Sequence, residues 1–131
     1  MEFTLQTILP AAPQIVYEAW MSSQGHAAMT GAVAEVQPMM GGNFTAWNGY
    51  IQGQNLYMAP YERIVQTWRT TEFAATDPDS QIEVILEGME GKTRLTLIHT
   101  QLPSDGDKYK KGWQEHYFAP MHVYFDQLSK F

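Results

Sequence analysis

The stretch from Gly112 to Lys130 constrains the fold of this chain more than any other. Large apolar or amphipathic side chains recur within it at intervals of four, four, three and four residues: Trp113, Tyr117, Met121, Tyr124 and Leu128. This spacing places all of them on one stripe of a single helix. A stripe of this kind has to be buried, so the pattern predicts a long C-terminal helix that covers another layer of the protein.

The residues before this helix mostly alternate between apolar and polar side chains, which is the period of a half-buried β-strand. The alternation predicts strands over the following segments: 2–9, 32–38, 43–47, 50–58, 63–71, 80–87 and 92–101. Asn48-Gly49 and Glu90-Gly91 predict tight hairpin turns, because the two central positions of such turns favour positive φ. Gly53 is a candidate for a β-bulge.

Two short helices are predicted between the first two strands. Pro13 stands where a helix can begin, and apolar residues follow it at helical spacing as far as Trp20. Ser22 or Ser23 can cap a second helix over 26–29, which Gly31 ends. An open antiparallel sheet with one apolar face needs a cover, and the C-terminal helix alone is long enough to supply it. The sequence therefore predicts an α+β fold.

Pro120 interrupts the pattern of the C-terminal helix. Proline cannot donate to the carbonyl of His116, four residues earlier, and costs about 3 kcal/mol in a helix unless the backbone adapts. A bend near 116–120 is therefore predicted. It either lets the helix follow the sheet or holds part of the helix away from the sheet and leaves room beneath it.

Composition narrows the range of functions. The chain has 131 residues, the size of one domain, so we expect 1–131 to fold as a single unit. The formal net charge is −6, which disfavours nucleic acid as a partner. There is no cysteine, which excludes disulfides and thiol chemistry. Eight Met, four Trp, seven Tyr and six Phe suit an interior that packs irregularly or accommodates a guest.

The sequence contains no motif for metal, cofactor or catalysis. His116 and His122 lie six residues apart and would point in different directions, unlike the facing pairs of metal sites. No nucleophile elbow, phosphate loop, dinucleotide fingerprint or zinc-protease motif occurs. The expectation is therefore no metal, no cofactor and no catalytic residue. No stretch approaches the ~20 apolar residues of a membrane span, and the N-terminus lacks the regions of a signal peptide, so a cytoplasmic protein is expected.

His99 and Gln66 are polar residues predicted on the covered face of the sheet. His99 shares strand parity with Leu95 and Leu97, so it is expected to be shielded and hydrogen-bonded. It could be a structural histidine, a polar anchor for a ligand or a general base. Gln66 is expected to be paired within the core or available to a guest. The predicted lining of a cavity between sheet and helix is Trp20, Phe44, Gln66, Trp68, His99, Trp113, Tyr117, Met121 and Tyr124.

The order of elements resembles the helix-grip fold of the START and Bet v 1-like (SRPBCC) superfamily, and the details look like the branch related to the activator of Hsp90 ATPase. The matching stretches are 10–20, 25–31, 42–53, 63–69, 95–99 and Gly112-Trp113. The resemblance implies a curved antiparallel sheet with a long C-terminal helix. It also implies a cavity between them, which different members use for lipids, hormones, polyketides or no known ligand.

Three functional hypotheses follow. The first is a module that binds a small apolar or aromatic molecule in the cavity. The second is a stress-related, co-chaperone-like module for protein interaction, which an exposed apolar patch away from the cavity mouth would favour. The third is a cyclase- or hydrolase-like enzyme, which two ionisable groups converging inside the cavity would favour. A homodimer is a further expectation, and an Hsp90-type chaperone is the less favoured partner.

Overall fold

Seven antiparallel strands form one sheet in the order β1-β7-β6-β5-β4-β3-β2. The computed structural model describes residues 1–130. Its strands are β1 Phe3–Leu9, β2 Glu35–Val36, β3 Asn43–Ala46, β4 Ile51–Ala59, β5 Arg63–Thr70, β6 Ser80–Met89 and β7 Lys92–Thr100. All neighbouring strands in this order pair antiparallel. The predicted order of elements and the α+β, helix-grip class are confirmed.

Two helices, α1 (Pro13–Trp20) and α2 (Ser23–Thr30), follow β1. Pro13 occupies the start of α1, as predicted. The Ser22 hydroxyl accepts a hydrogen bond from the Gly25 amide at 3.0 Å and so caps α2, which is longer than predicted. Gly31 ends α2 with a φ of 85°, a left-handed conformation that glycine adopts without steric cost.

The C-terminal helix is continuous but irregular. It comprises α3 (Lys108–Trp113), a π-helical segment (Gln114–Phe118) and α4 (Ala119–Leu128). The Ala119 amide donates to the Gln114 carbonyl, five residues back, as in a π-helix. Pro120 follows directly, where its missing N–H removes an α-helical hydrogen bond. A widened turn thus lies next to Pro120, while the predicted bend of the helix near 116–120 stays a prediction.

The widened turn changes which side chains the helix buries. Trp113, Tyr117 and Met121 are buried as predicted, but Phe125 is fully buried whereas Leu128 is 42% exposed. Tyr124 is half-buried. In a regular α-helix, residues four apart drift around the axis by about 40°. The π-helical segment absorbs this drift, so the covered stripe continues in steps of four to Phe125, and the prediction for Leu128 is wrong.

The hairpin between β3 and β4 turns at Asn48-Gly49 as predicted, with φ angles of 59° and 87° at these two residues. The Tyr50 amide donates to the Trp47 carbonyl at 3.1 Å across the turn, and Trp47 itself also has a positive φ, of 51°. The Asn48 amide and side-chain oxygen pair with the backbone of Val33, both at 3.0 Å. This pairing with a distant loop holds in place the turn that the local Asn-Gly preference already favours.

Gly53 does not form a bulge. The register shift in β4 lies between Asn55 and Tyr57 instead. A Cβ at Gly53 would lie 1.9 Å from the Thr67 carbonyl oxygen and 2.6 Å from the Phe44 ring. Glycine is needed here because backbone and ring approach too closely for any side chain.

One face of the sheet points towards the C-terminal helix. Gln66, Ile82 and His99 stand side by side on β5, β6 and β7 and are at most 2% exposed. The predicted inward face of these strands is therefore confirmed. Polar side chains within it need internal partners, and those partners shape the site described next.

Candidate functional site

A pocket of about 510 Å³ lies between the C-terminal helix and the end of the sheet that carries the β3–β4 turn. Its walls come from that turn, β4, β5, the segment after β5, α3 and the π-helical segment. Six aromatic side chains dominate the lining: Trp47, Tyr50, Trp68, Tyr109, Trp113 and Tyr117. A volume of this size holds a small organic molecule.

Trp113 forms a wall of the pocket and is fixed from behind by His99. Its indole Nε1–H donates to His99 Nδ1 at 3.0 Å. Because indole nitrogen only donates, Nδ1 of His99 is the acceptor and Nε2 carries the proton. Nε2 lies 2.9 Å from the Ser80 hydroxyl, which donates onward to the Trp68 carbonyl. Burial lowers the pKa of His99 to about 3, so the ring is neutral.

Tyr117 is held in the same manner by a second buried histidine, His26. The two ring nitrogens of His26 lie 2.9 Å from the Trp20 carbonyl and 2.7 Å from the Tyr117 hydroxyl. A carbonyl can only accept, so Nδ1 donates to it and Nε2 accepts from Tyr117. Burial lowers the pKa of His26 to about 4, opposed by the bond to Trp20, and burial also raises the pKa of Tyr117.

The hydroxyls of the other two tyrosines of the lining are also hydrogen-bonded within the protein. The Tyr109 hydroxyl is hydrogen-bonded to the Thr70 hydroxyl at 2.6 Å. Tyr50 donates to the Glu72 carboxylate, and burial is the main cause of its raised pKa. Trp113 and the three tyrosines therefore line the pocket with rings whose polar atoms are already paired.

Glu72 is the carboxylate at the mouth of the pocket. It accepts from Tyr50 and, at 3.3 Å, from the Lys108 ammonium group. These two hydrogen bonds lower the pKa of Glu72. A carboxylate stabilised in its charged form by two donors is a weak proton acceptor. Glu72 is therefore better suited to an ion pair at the rim of the pocket than to general-base catalysis.

Trp47 differs from the other aromatic residues of the lining. Its backbone has a φ of 51°, which is unusual for a bulky side chain. Its buried Nε1 has no hydrogen-bond partner among residues 1–130. The ring packs edge to face on His116 of the π-helical segment, with centroids 5.2 Å apart. Strained backbone, π-helical turns and unpaired buried donors each occur preferentially at functional sites.

The structure separates the residues predicted to line the cavity into three groups. Trp68, Trp113 and Tyr117 line the pocket. A supporting layer lies behind them and consists of Trp20, Gln66 and His99. A third group lies elsewhere: Phe44 packs near Gly53, and Met121 and Tyr124 lie further along α4.

The supporting layer is fully paired. Trp20 stacks on Trp113 with centroids 6.2 Å apart, and its Nε1–H donates to the Gln66 side-chain oxygen at 3.3 Å. The Gln66 amide group donates to the Asn55 side-chain oxygen at 2.9 Å. Gln66 is thus paired within the core, which was one of its two expected roles.

Several lining residues were not predicted from the sequence. Tyr109 stands four residues before Trp113, so extending the helical stripe one turn towards the N-terminus would have found it. Trp47 and Tyr50 flank the β3–β4 turn, where only a bulky aromatic beside a turn signal marks them. Glu72 lies after β5 and carries no sequence signal of its own.

Within the described residues 1–130, no group of three or more His, Asp or Glu side chains is placed to hold a metal ion. No helix of that part of the chain is long and apolar enough to cross a membrane. The chemistry of the pocket is that of aromatic faces, an unpaired buried indole N–H and a charged rim.

Comparison with known proteins identifies the family. The family model described as activator of Hsp90 ATPase homolog 1-like protein matches residues 10–126. The chain belongs to this family. The activator of 90 kDa heat shock protein ATPase homolog of Dictyostelium discoideum is 27% identical over 122 residues, which is 91% of this chain and 31% of that protein. The chain thus spans about a third of the length of this family relative.

Solved structures support the same fold. An HSP90 activator from Plasmodium falciparum superposes with a TM-score of 0.86 at 22% identity, covering 94% of each chain. The Aha1 dimer from Colwellia psychrerythraea matches with a TM-score of 0.73 at 15% identity, covering 98% of this chain and 92% of that one. A protein of the same fold therefore forms a dimer.

Proposed function

We propose that this protein binds a small aromatic or apolar molecule in the pocket between the sheet and the C-terminal helix. The observation that carries the proposal is the set of six aromatic side chains around a space of about 510 Å³. Aromatic faces of this kind provide a large apolar contact area for a ligand.

The hydrogen bonds behind the walls support the proposal. Trp113 is anchored by His99 and Tyr117 by His26, each through a bond of 3.0 Å or less. A side chain fixed in this way loses little further freedom when a ligand binds, so the binding energy is not spent on ordering the wall. Two buried, fully paired histidines are a costly way to support plain packing, since an apolar residue would need no partner.

Titration with an apolar fluorescent probe and native mass spectrometry test the proposal together. We expect saturable binding of one probe per chain, and a retained small molecule in protein purified without denaturation. The tryptophans of the pocket should report probe binding by a change in their own emission. Binding that does not saturate, or that occurs equally well to the unfolded chain, would contradict the proposal.

A second candidate function is a chaperone-interaction module acting in the cytoplasm. Membership of the Hsp90 activator family favours it, as do exposed apolar side chains outside the pocket lining. Met39 and Met40, at the turn between β2 and β3, are 58% and 67% exposed. Exposed methionine is adaptable and suits contact with a partner protein.

The ATPase rate of an Hsp90-type chaperone from the same organism tests this second candidate. We expect the wild-type chain to raise the rate and the double variant Met39→Ser, Met40→Ser to lose that effect while still binding the fluorescent probe. An unchanged rate at saturating wild-type chain would exclude activation. A homodimer remains a prediction, which light scattering after size-exclusion chromatography tests directly.

A further inference from the structure

The pocket lining contains one buried hydrogen-bond donor without a partner among residues 1–130. The Trp113 indole is bonded to His99, and the hydroxyls of Tyr117, Tyr109 and Tyr50 are each bonded elsewhere. Trp47 Nε1 is buried and has no partner among residues 1–130. An unpaired buried donor costs about 1–3 kcal/mol, which a ligand acceptor can recover.

The β3–β4 turn holds Trp47 above the pocket. Asn48 fixes the turn by its two bonds to the Val33 backbone, so the φ of 51° at Trp47 is imposed by tertiary contacts. The indole is half-buried and rests edge to face on the exposed His116. A rotation of the indole about its side-chain bonds would bring Nε1 to a ligand atom in the pocket.

The charges at the rim are balanced. Lys108 lies 3.3 Å from Glu72, and Lys111 lies 3.7 Å from Glu115. Both lysines are already paired, so neither is available for an anionic ligand, and neither carboxylate is available for a cation. A charged group in the pocket would have to displace one of these pairs or remain uncompensated, which is costly away from water.

We propose that the ligand is an aromatic molecule with one uncharged acceptor oxygen, which accepts a hydrogen bond from Trp47 Nε1. This inference rests on the proposed function and specifies the class of ligand. Aromatic faces contact the ring system of the ligand, while the unpaired buried donor of Trp47 fixes its orientation. Ketone, ester and amide carbonyls have the required chemistry, and a carboxylate does not fit the balanced rim.

Three naphthalene probes of similar size test the inference by isothermal titration calorimetry. The ketone 2-acetylnaphthalene has the acceptor, 2-isopropylnaphthalene lacks it, and 2-naphthoate carries a charge. Wild-type protein should bind the ketone about fivefold more tightly than the hydrocarbon, because a net hydrogen bond contributes about 1 kcal/mol. In Trp47→Phe, which keeps an aromatic ring but removes the N–H, the ketone should lose this advantage over the hydrocarbon, so that the ratio of the two affinities falls at least fivefold. The hydrocarbon is the internal control for any change in pocket shape.

Nuclear magnetic resonance gives a second measurement that needs no variant. The Trp47 indole N–H resonance should move downfield when the ketone binds and change little when the hydrocarbon binds. Equal affinities for both probes in wild type, with no downfield shift, would overturn this inference and leave the binding proposal standing. If 2-naphthoate bound most tightly of the three probes, the inference that the acceptor of the ligand is uncharged would be wrong. Failure of every probe to bind would overturn the proposed function and this inference together.

Discussion

Acidification should destabilise this protein through its two buried histidines. His99 is fully buried and His26 is 2% exposed, and each accepts a hydrogen bond on one ring nitrogen. Burial lowers their pKa values to about 3 and about 4, from 6.5 in an unfolded chain. Below pH 6.5 the unfolded chain therefore binds protons that the folded protein does not bind, so stability falls as the pH falls.

The size of the effect follows from the width of this window. Each pKa unit corresponds to about 1.4 kcal/mol. Since pH 5 lies 1.5 units below the pKa of histidine in the unfolded chain, each buried histidine should lower the free energy of unfolding at pH 5 by about 2 kcal/mol. The two histidines together should lower the free energy of unfolding by about 4 kcal/mol between pH 7 and pH 5. This loss is a large fraction of the stability of a typical domain.

Urea denaturation at pH 7 and pH 5, followed by tryptophan fluorescence, measures this loss. The variant His99→Gln cannot gain the proton, so its loss between the two pH values should be smaller by about 2 kcal/mol. The variant His122→Gln, at an exposed position, is the control for removal of a histidine from the C-terminal helix. If His99→Gln loses as much stability as wild type, the argument from the buried neutral ring is wrong.

Three further predictions concern the helix and the sheet. Met121→Ala should lower the free energy of unfolding by about 2–5 kcal/mol, because Met121 is fully buried. It should leave probe affinity almost unchanged, because Met121 lies outside the pocket lining. Pro120→Ala should change probe affinity more than the urea midpoint, because the π-helical segment before Pro120 forms part of the pocket wall. An unchanged affinity together with a large shift in the urea midpoint would mean that the proline serves only to fit the helix to its sheet. Gly53→Ala should lower the free energy of unfolding in the same urea assay by about 1–3 kcal/mol, because its Cβ would clash with the Thr67 carbonyl. The control Gly88→Ala, whose Cβ would lie 3.5 Å from its nearest neighbour, should be nearly neutral.

The order of elements could be predicted because each depends on a local signal. Strand alternation, the Ser22 cap and the left-handed Gly31 each act within a few residues, and all are present in the structure. The burial of His99 followed from parity with its neighbours on β7, because side chains on a strand alternate between faces.

The course of the C-terminal helix was harder to predict because two registers compete. The regular helical period favours Tyr124 and Leu128 after Met121, whereas the π-helical segment shifts the stripe to Phe125. Repeated spacings of four, at Trp113, Tyr117, Met121 and Phe125, are the sequence signal for a widened turn. Sequence alone does not show which register buries more surface.

The mouth of the pocket could not be predicted from local pattern. Trp47, Glu72 and Lys108 come from three segments that are distant in sequence. Their convergence depends on how the β3–β4 turn is pinned to Val33 and on where α3 begins, both of which are tertiary properties. The sequence identified the covered face of the sheet and part of the aromatic wall, but not the residues that close the pocket.

Substitution of Gly112 tests the central claim of ligand binding most directly. Gly112 lines the pocket near the end of α3, and a Cβ built there meets no heavy atom within 4 Å beyond its chain neighbours and the backbone of its own helix. A larger side chain should therefore enter the cavity without disturbing the fold. Replacement of a helical glycine should even stabilise the protein, by up to about 1 kcal/mol.

Probe titration of Gly112→Leu, with Gly112→Ala as the matched control, is the decisive measurement. We expect both variants to be as stable as wild type or more stable, the alanine variant to keep most of its probe affinity, and the leucine variant to lose it at least tenfold. Equal probe affinity in the two variants, with both folded, would show that the probe binds elsewhere and would contradict the pocket as the ligand site.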